Sequence, residues 1–126
     1  MIKMLALLPI NHQRLINWSS VKTKVFEMEA QVLKALAQPT RLKILECLRG
    51  REKCIHEIVA AIHGEQSNIS RHISLMQKSH LVTTRKDGVK VMVKVKDPKI
   101  FEILDNVSLL LKKQIVETGK LVHKLA

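Results

Sequence analysis

Aromatic residues make up only 2% of this 126-residue chain, and tyrosine is absent. Readers of single-stranded nucleic acid stack bases on aromatic faces, so that class is disfavoured from the outset. Acidic residues are also scarce, 11 against 22 Lys and Arg, for a net charge of +11. Such an excess attracts polyanions whatever their sequence, duplex nucleic acid first and an anionic membrane second. The cysteines are Cys47 and Cys54 alone, too few for a secreted disulfide framework. The opening apolar stretch, Met1 to Leu8, stops at Pro9. It is too short for a secretory signal and far short of the roughly 20 residues of a membrane span. The expectation is a cytoplasmic protein with reduced thiols and no membrane partner. No Gly-rich phosphate loop, Ser/His/Asp set or paired carboxylates stand at catalytic spacing, which argues against an enzyme.

What is present fits one globular domain, with 46% hydrophobic and 26% charged residues. The core affordable at this length is small, and dimerisation would enlarge it. Residues 1 to about 24 show no clean period, and residues 1–27 read as an N-terminal extension, with room for a short helix through Leu15, Ile16 and Trp18. Residues 28–126 read as the folded domain, although the helical pattern itself starts at Val25. Val25, Val32, Leu33 and Leu36 share a broad face. A second helix starts at Pro39, a residue suited to a first helical position, and turns Leu42, Leu45 and Leu48 inward before Gly50. A third is expected from Cys54 to Ile62 and a fourth from Gln66 to Ser79. The last helix is expected to span residues 98–126, with an apolar face that includes Ile100, Ile103, Leu104, Val107, Leu110, Leu111, Ile115, Leu121, Val122 and Leu125.

Two helices joined by His63-Gly64-Glu65 make a helix-turn-helix pattern, whose second helix enters the DNA major groove. On that helix Ile69, Ile73 and Met76 form a buried stripe, and Ser67, Ser70, Arg71, Ser74 and Lys78 lie on the other side. Gln66 and Asn68 can pair with adenine, and Arg71 can fork onto guanine or a phosphate. Ser67 and Ser70 are short enough to allow close approach. The competing reading is an ordinary solvated face. Next, "LVTTRKDGVKVMVKV" predicts a β-hairpin about Asp87-Gly88. A two-residue turn there pairs Lys86 with Val89, Arg85 with Lys90, Thr84 with Val91 and Val82 with Val93. Arg85 facing Lys90 is a like-charge cost that a phosphate would relieve; the competing reading is a charged edge that blocks aggregation.

The segments "VLKALAQPTRLKILECLRG", "EKCIHEIVAAI", "EQSNISRHISLMQKSHLV" and "RKDGVKVMVKV" resemble the ArsR/SmtB family of winged helix-turn-helix repressors, from about Val32 to Val95. The resemblance implies a mainly α fold with a small β-hairpin as the wing, and a homodimer held by the first and last helices. It implies repression at double-stranded operator DNA and release by a metal ion, metalloid or other small effector. It matches Ser67, Asn68, Ser70, Arg71 and His72 to the recognition helix, with His72 a phosphate contact or a packing residue, and the Asp87-Gly88 hairpin to the wing. With Gln66 and Ser74 from the helix and Arg85, Lys86 and Lys90 from the hairpin, these make the expected DNA-contacting set. Val91-Met92-Val93 departs from the aromatics that members often carry there.

Cys54-Ile55-His56 stands where metal-sensing members have Cys-x-Cys, with His56 for the second thiol and Val59 where a third would be. The set suits Zn²⁺, Cd²⁺ or Cu better than As(III), with further ligands such as His12 and His123. Residues two apart on a regular helix point about 200° from each other, so chelation by Cys54 and His56 needs the helix to begin after His56 or to unwind. Other readings are a thiol-redox sensor at Cys54, or a small packing residue at a helix start. Two residues after Asp105 stands Val107, where the family would place a His, so the last helix lacks that second site. Cys47 reads as core. His63 and His80, near helix ends, read as dipole partners. The rival functions are a winged-helix interaction module and an effector-independent DNA binder.

Overall fold

A computed structural model describes residues 23–119. Its elements are α1 (Thr23–Leu36), α2 (Pro39–Cys47), β1 (Lys53–Cys54), α3 (Ile55–Ile62), α4 (Gln66–Lys78), β2 (Val82–Asp87), β3 (Lys90–Val95) and α5 (Lys99–Thr118). Each boundary has a local cause. Pro39 opens α2 because its missing N–H would have had no intrahelical partner. The Gln38 side chain accepts from the Arg41 amide at 3.0 Å and caps the first turn. His63 and Gly119 end α3 and α5 in the left-handed conformation.

The sheet is antiparallel in the order β1-β3-β2. It packs with α2, α3 and α4 around Ile44, Leu45, Ile58, Ile69, Met76, Val82 and Val93, none of them exposed by more than 1%. Ile100 anchors the start of α5 on this core, with Phe101 and Leu104 packed against it. Arg49 fastens α5 from outside: Nη2 reaches Glu46 and Asp105 at 2.9 Å each, and the guanidinium lies 4.5 Å from the Phe101 ring centre. Among the described residues, no helix is long and apolar enough to cross a membrane.

Several expectations are corrected. The hairpin is two strands of a three-stranded sheet, because Lys53 and Cys54 pair with Val93 and Met92 instead of joining α3. The turn centres on Gly88-Val89, not Asp87-Gly88. Gly88 takes φ +62° at the first central position, where a II′ turn favours glycine. Asp87 therefore pairs with Lys90, and Arg85 pairs with Met92. Each partner moves by two, an even step, so Val82, Thr84, Val91 and Val93 still share a face. Leu42 is exposed, and Ile44 takes the inward place. On a helical wheel with Leu45 at zero, Leu42 falls at about +60°, while Leu48 and Ile44 fall at about −60° and −100°, so the buried arc runs to the other side of Leu45. Val32 and Leu33 are exposed on α1, and only Val25, Ala35 and Leu36 are buried there. The boundary between residues 27 and 28 falls inside α1. Gly119 stops α5 short of the expected 126, and the readings on Leu15, Ile16, Trp18, His12, Leu121, Val122, His123 and Leu125 lie outside the described residues.

Candidate nucleic-acid interface

The turn between α3 and α4 is set by two residues. His63 reverses the chain at φ 53°, ψ 44°. Gly64 then passes so close to α4 that a Cβ there would sit 2.3 Å from Ile69 Cδ1. With Ile69, Ile73 and Met76 sunk in the core, the opposite side of α4 is held outward. Gln66, Ser67, Arg71 and Ser74 are exposed, and Asn68 and Ser70 are half-buried. Arg71 Nη2 donates to Asn68 Oδ1 at 2.8 Å, and Ser67 Oγ donates to Glu65 Oε1 at 2.7 Å. These contacts fix the Arg71 and Ser67 side chains on the outer, polar face of the helix.

His72 does not belong to that face. It is 4% exposed, and its Nδ1 accepts from Arg41 Nε at 3.2 Å. Burial foremost, then the charges of Arg71 and Arg41, holds its pKa below the ordinary 6.5. The neutral ring with a lone pair on Nδ1 is the form this bond requires. Arg41 also donates through Nη1 to the Ala35 carbonyl at 3.1 Å. One guanidinium thus ties the last turn of α1 to the middle of α4. This gives a physical reason for Ala35, Arg41 and His72 in the motifs that carried the family resemblance. The helical wheel had the signal: His72 falls about 40° from Met76, at the edge of the buried stripe.

On the wing, Lys86 and Lys90 are exposed and have no ion pair among the described residues. Arg85 is engaged. Its guanidinium bonds the Glu52 carboxylate, with Nε at 3.3 Å from Oε2, and Asp87 lies 3.9 Å away. The bond to Arg85 draws the Glu52 carboxyl below its usual range. The expected repulsion between Arg85 and Lys90 is absent because the register separates them. Glu52 was missed because its partner lies on a strand far along the sequence.

Cys54 and His56 part company. Cys54 is 5% exposed, extended, and the N-cap of α3. Its amide donates to Glu57 Oε1 at 3.2 Å, half of a capping box. An Arg51 hydrogen bond and this amide hold the Glu57 pKa at about 2. His56 is exposed and lies inside α3, so the helix begins before it and chelation with Cys54 would need α3 to unwind. No group of three or more His, Cys, Asp or Glu poised for a metal occurs among the described residues. Cys47 is half-buried against the core, with Lys53 Nζ 3.7 Å from its sulfur. His63 and His80 both take positive φ at helix ends.

The family model described as bacterial regulatory protein, arsR family, matches residues 38–84, from the α2 cap into β2. The chain is 30% identical to the arsenical resistance operon repressor of Staphylococcus aureus, over 63% of this chain and 76% of that protein. The chain belongs to the ArsR/SmtB family. Its winged helix-turn-helix is the fold of a transcriptional regulator. Another ArsR/SmtB relative is the HTH-type transcriptional repressor SmtB of Mycobacterium tuberculosis, 30% identical over 64% of this chain and spanned for 60% of its own length. Among solved structures, M. tuberculosis Rv0081 superposes with a TM-score of 0.68 at 26% identity, covering 75% of this chain and 96% of that one.

Proposed function

We propose that this ArsR/SmtB member is a homodimeric repressor that binds double-stranded operator DNA and is released by a small effector. The observation that carries the reading is α4: three apolar residues and His72 lock its inner side, and its outer side offers Arg71 among short polar residues. The N-terminal turns of α4 would read bases in the major groove, and Lys86 and Lys90 at the wing tip would touch the backbone. Dimerisation is supported by apolar side chains left exposed on α1 and α5, among them Leu33, Val107, Leu110 and Leu111. Two relatives are repressors by name, one of an arsenical resistance operon.

Cys54 and His56 alone do not fit a metal ion. One is a buried cap, the other an exposed helical residue, and a third donor is missing among the described residues. A metal-responsive form of the reading needs donors from a second copy or from His12 and His123.

Fluorescence anisotropy of the duplex upstream of its own gene, with reduced protein, tests the reading. Arg71→Ala should weaken specific binding by roughly 5- to 100-fold, the worth of one bidentate base contact, with the dimer intact. Unchanged affinity would remove α4 as the reading element. In the same assay Zn²⁺, Cd²⁺, As(III) and a mild oxidant are added to wild type and Cys54→Ser. Release of the wild type alone would assign Cys54 as the sensor, and no release of either would exclude it.

A further inference from the structure

α1 and the C-terminal end of α4 enclose a groove of about 630 Å³, within the usual range for small-molecule sites. Its floor is apolar, with Met28, Val32 and Ala35 from α1 and Leu75 from α4. Its rim is basic: Lys34, Arg41 and Lys78 line it together with His80, and no acidic residue among the described residues does. Lys34 and Lys78 have no ion pair among the described residues. Arg41 uses Nε for His72 and Nη1 for the Ala35 carbonyl, leaving Nη2 without a protein partner among the described residues.

We propose that this groove binds a small organic acid with an apolar body and one anionic head. The acid's tail would lie against Met28, Val32 and Leu75, and its head among Lys34, Lys78 and Arg41 Nη2. Charge complementarity selects this occupant. Residues 1–22 contain Lys3, Arg14 and Lys22, residues 120–126 contain Lys120 and Lys124, and neither stretch contains an acidic side chain to meet the rim. A bare phosphate lacks the apolar body that the floor would cover. Occupancy has a direct path to the DNA-reading helix, because Arg41 is bonded to His72 in the middle of α4. An anion on Arg41 draws on the guanidinium that anchors α4 to α1, and so lowers operator affinity. That last step rests on the repressor reading; the binding step does not.

Decanoate is the probe, titrated calorimetrically into the full-length protein without DNA. The expected result is saturable binding at one site per chain, weaker by about fourfold for each methylene removed. Decan-1-ol should bind at least tenfold more weakly. Lys34→Glu and Lys78→Glu should each reduce decanoate affinity by tenfold or more, with thermal midpoints and dimer size unchanged, while Lys112→Glu on α5 leaves it alone. Equal binding of the alcohol, or indifference to both rim variants, would overturn the proposal. So would binding that emerges only on dilution to monomer, which would make the groove a contact between copies. In a second arm, decanoate is added to the preformed DNA complex. Binding without release leaves the site standing and removes its regulatory role; failure to bind DNA at all counts against the repressor reading alone.

Discussion

Gly64→Ala is the sharpest perturbation of the helix-turn-helix. The new methyl would lie 2.3 Å from Ile69 Cδ1, 3.1 Å from Ile69 Cγ1 and 3.5 Å from Ile62 Cγ1. Ile69 is completely buried and packed on all sides, so it has nowhere to swing. Overpacking of this kind costs about 1–3 kcal/mol. The smaller entropy of the unfolded alanine chain returns about 0.4–1 kcal/mol. At about 4–8 °C per kcal/mol for a domain of this size, a net loss near 1–2 kcal/mol lowers the thermal midpoint by roughly 4–16 °C. Ile69→Val is the diagnostic partner, because it deletes Cδ1, the atom of closest approach. Alone it costs about 0.5–1.5 kcal/mol through the gap it leaves. Combined with Gly64→Ala, it should recover at least about 0.5 kcal/mol relative to the sum of the single changes. Urea and thermal melts of the four proteins, at one fixed protein concentration, supply the cycle. Additivity to within about 0.3 kcal/mol, or a Gly64→Ala protein as stable as wild type, would refute the close approach.

Lys90→Ala should weaken binding to all duplexes alike and reduce the slope of log affinity against log salt by roughly one. An unchanged slope would take the wing tip off the phosphate backbone. His72 predicts a pH dependence of stability. Its pKa is depressed in the fold, so the unfolded chain takes up the proton first as pH falls. Its contribution is complete above the ordinary 6.5 and is lost progressively below it, down to the folded value. His72→Gln keeps an acceptor for Arg41 without a titrating ring, and should flatten the fall in urea midpoint between about pH 7.5 and 5. A variant that loses as much stability as wild type over that range would clear His72 of the effect.

Much of this was legible in the sequence where the signal is local. Pro39 opened α2, Gly64 marked the turn, and the spacing of Ile69, Ile73 and Met76 gave the buried side of α4. What escaped depends on partners distant in the chain. The two-residue β1 has no pattern of its own and exists because β3 offers an edge at Val93 and Met92. Arg85 looked like a free cation until Glu52, 33 residues earlier, met it across the sheet. His72 stood among the expected DNA contacts through the family resemblance, and only the fold brings Arg41 to its ring. The turn at Gly88-Val89 was misplaced by one residue, because Asp-Gly signals a hairpin without fixing which residue leads the turn.

Cys54 is both the last residue of β1 and the cap of α3. No loop separates the sheet that carries the wing from the helix pair that presents α4. The protomer therefore lacks a hinge at this junction, and on the repressor reading α4 and the wing would meet DNA as one unit, like the jaws of a gauge set to one width. On the repressor reading, adjustment to a different operator geometry would fall to joints outside that unit, where α1 and α5 would meet a second copy. The angle between two such heads, rather than the shape of either one, would then be the quantity an effector has to change.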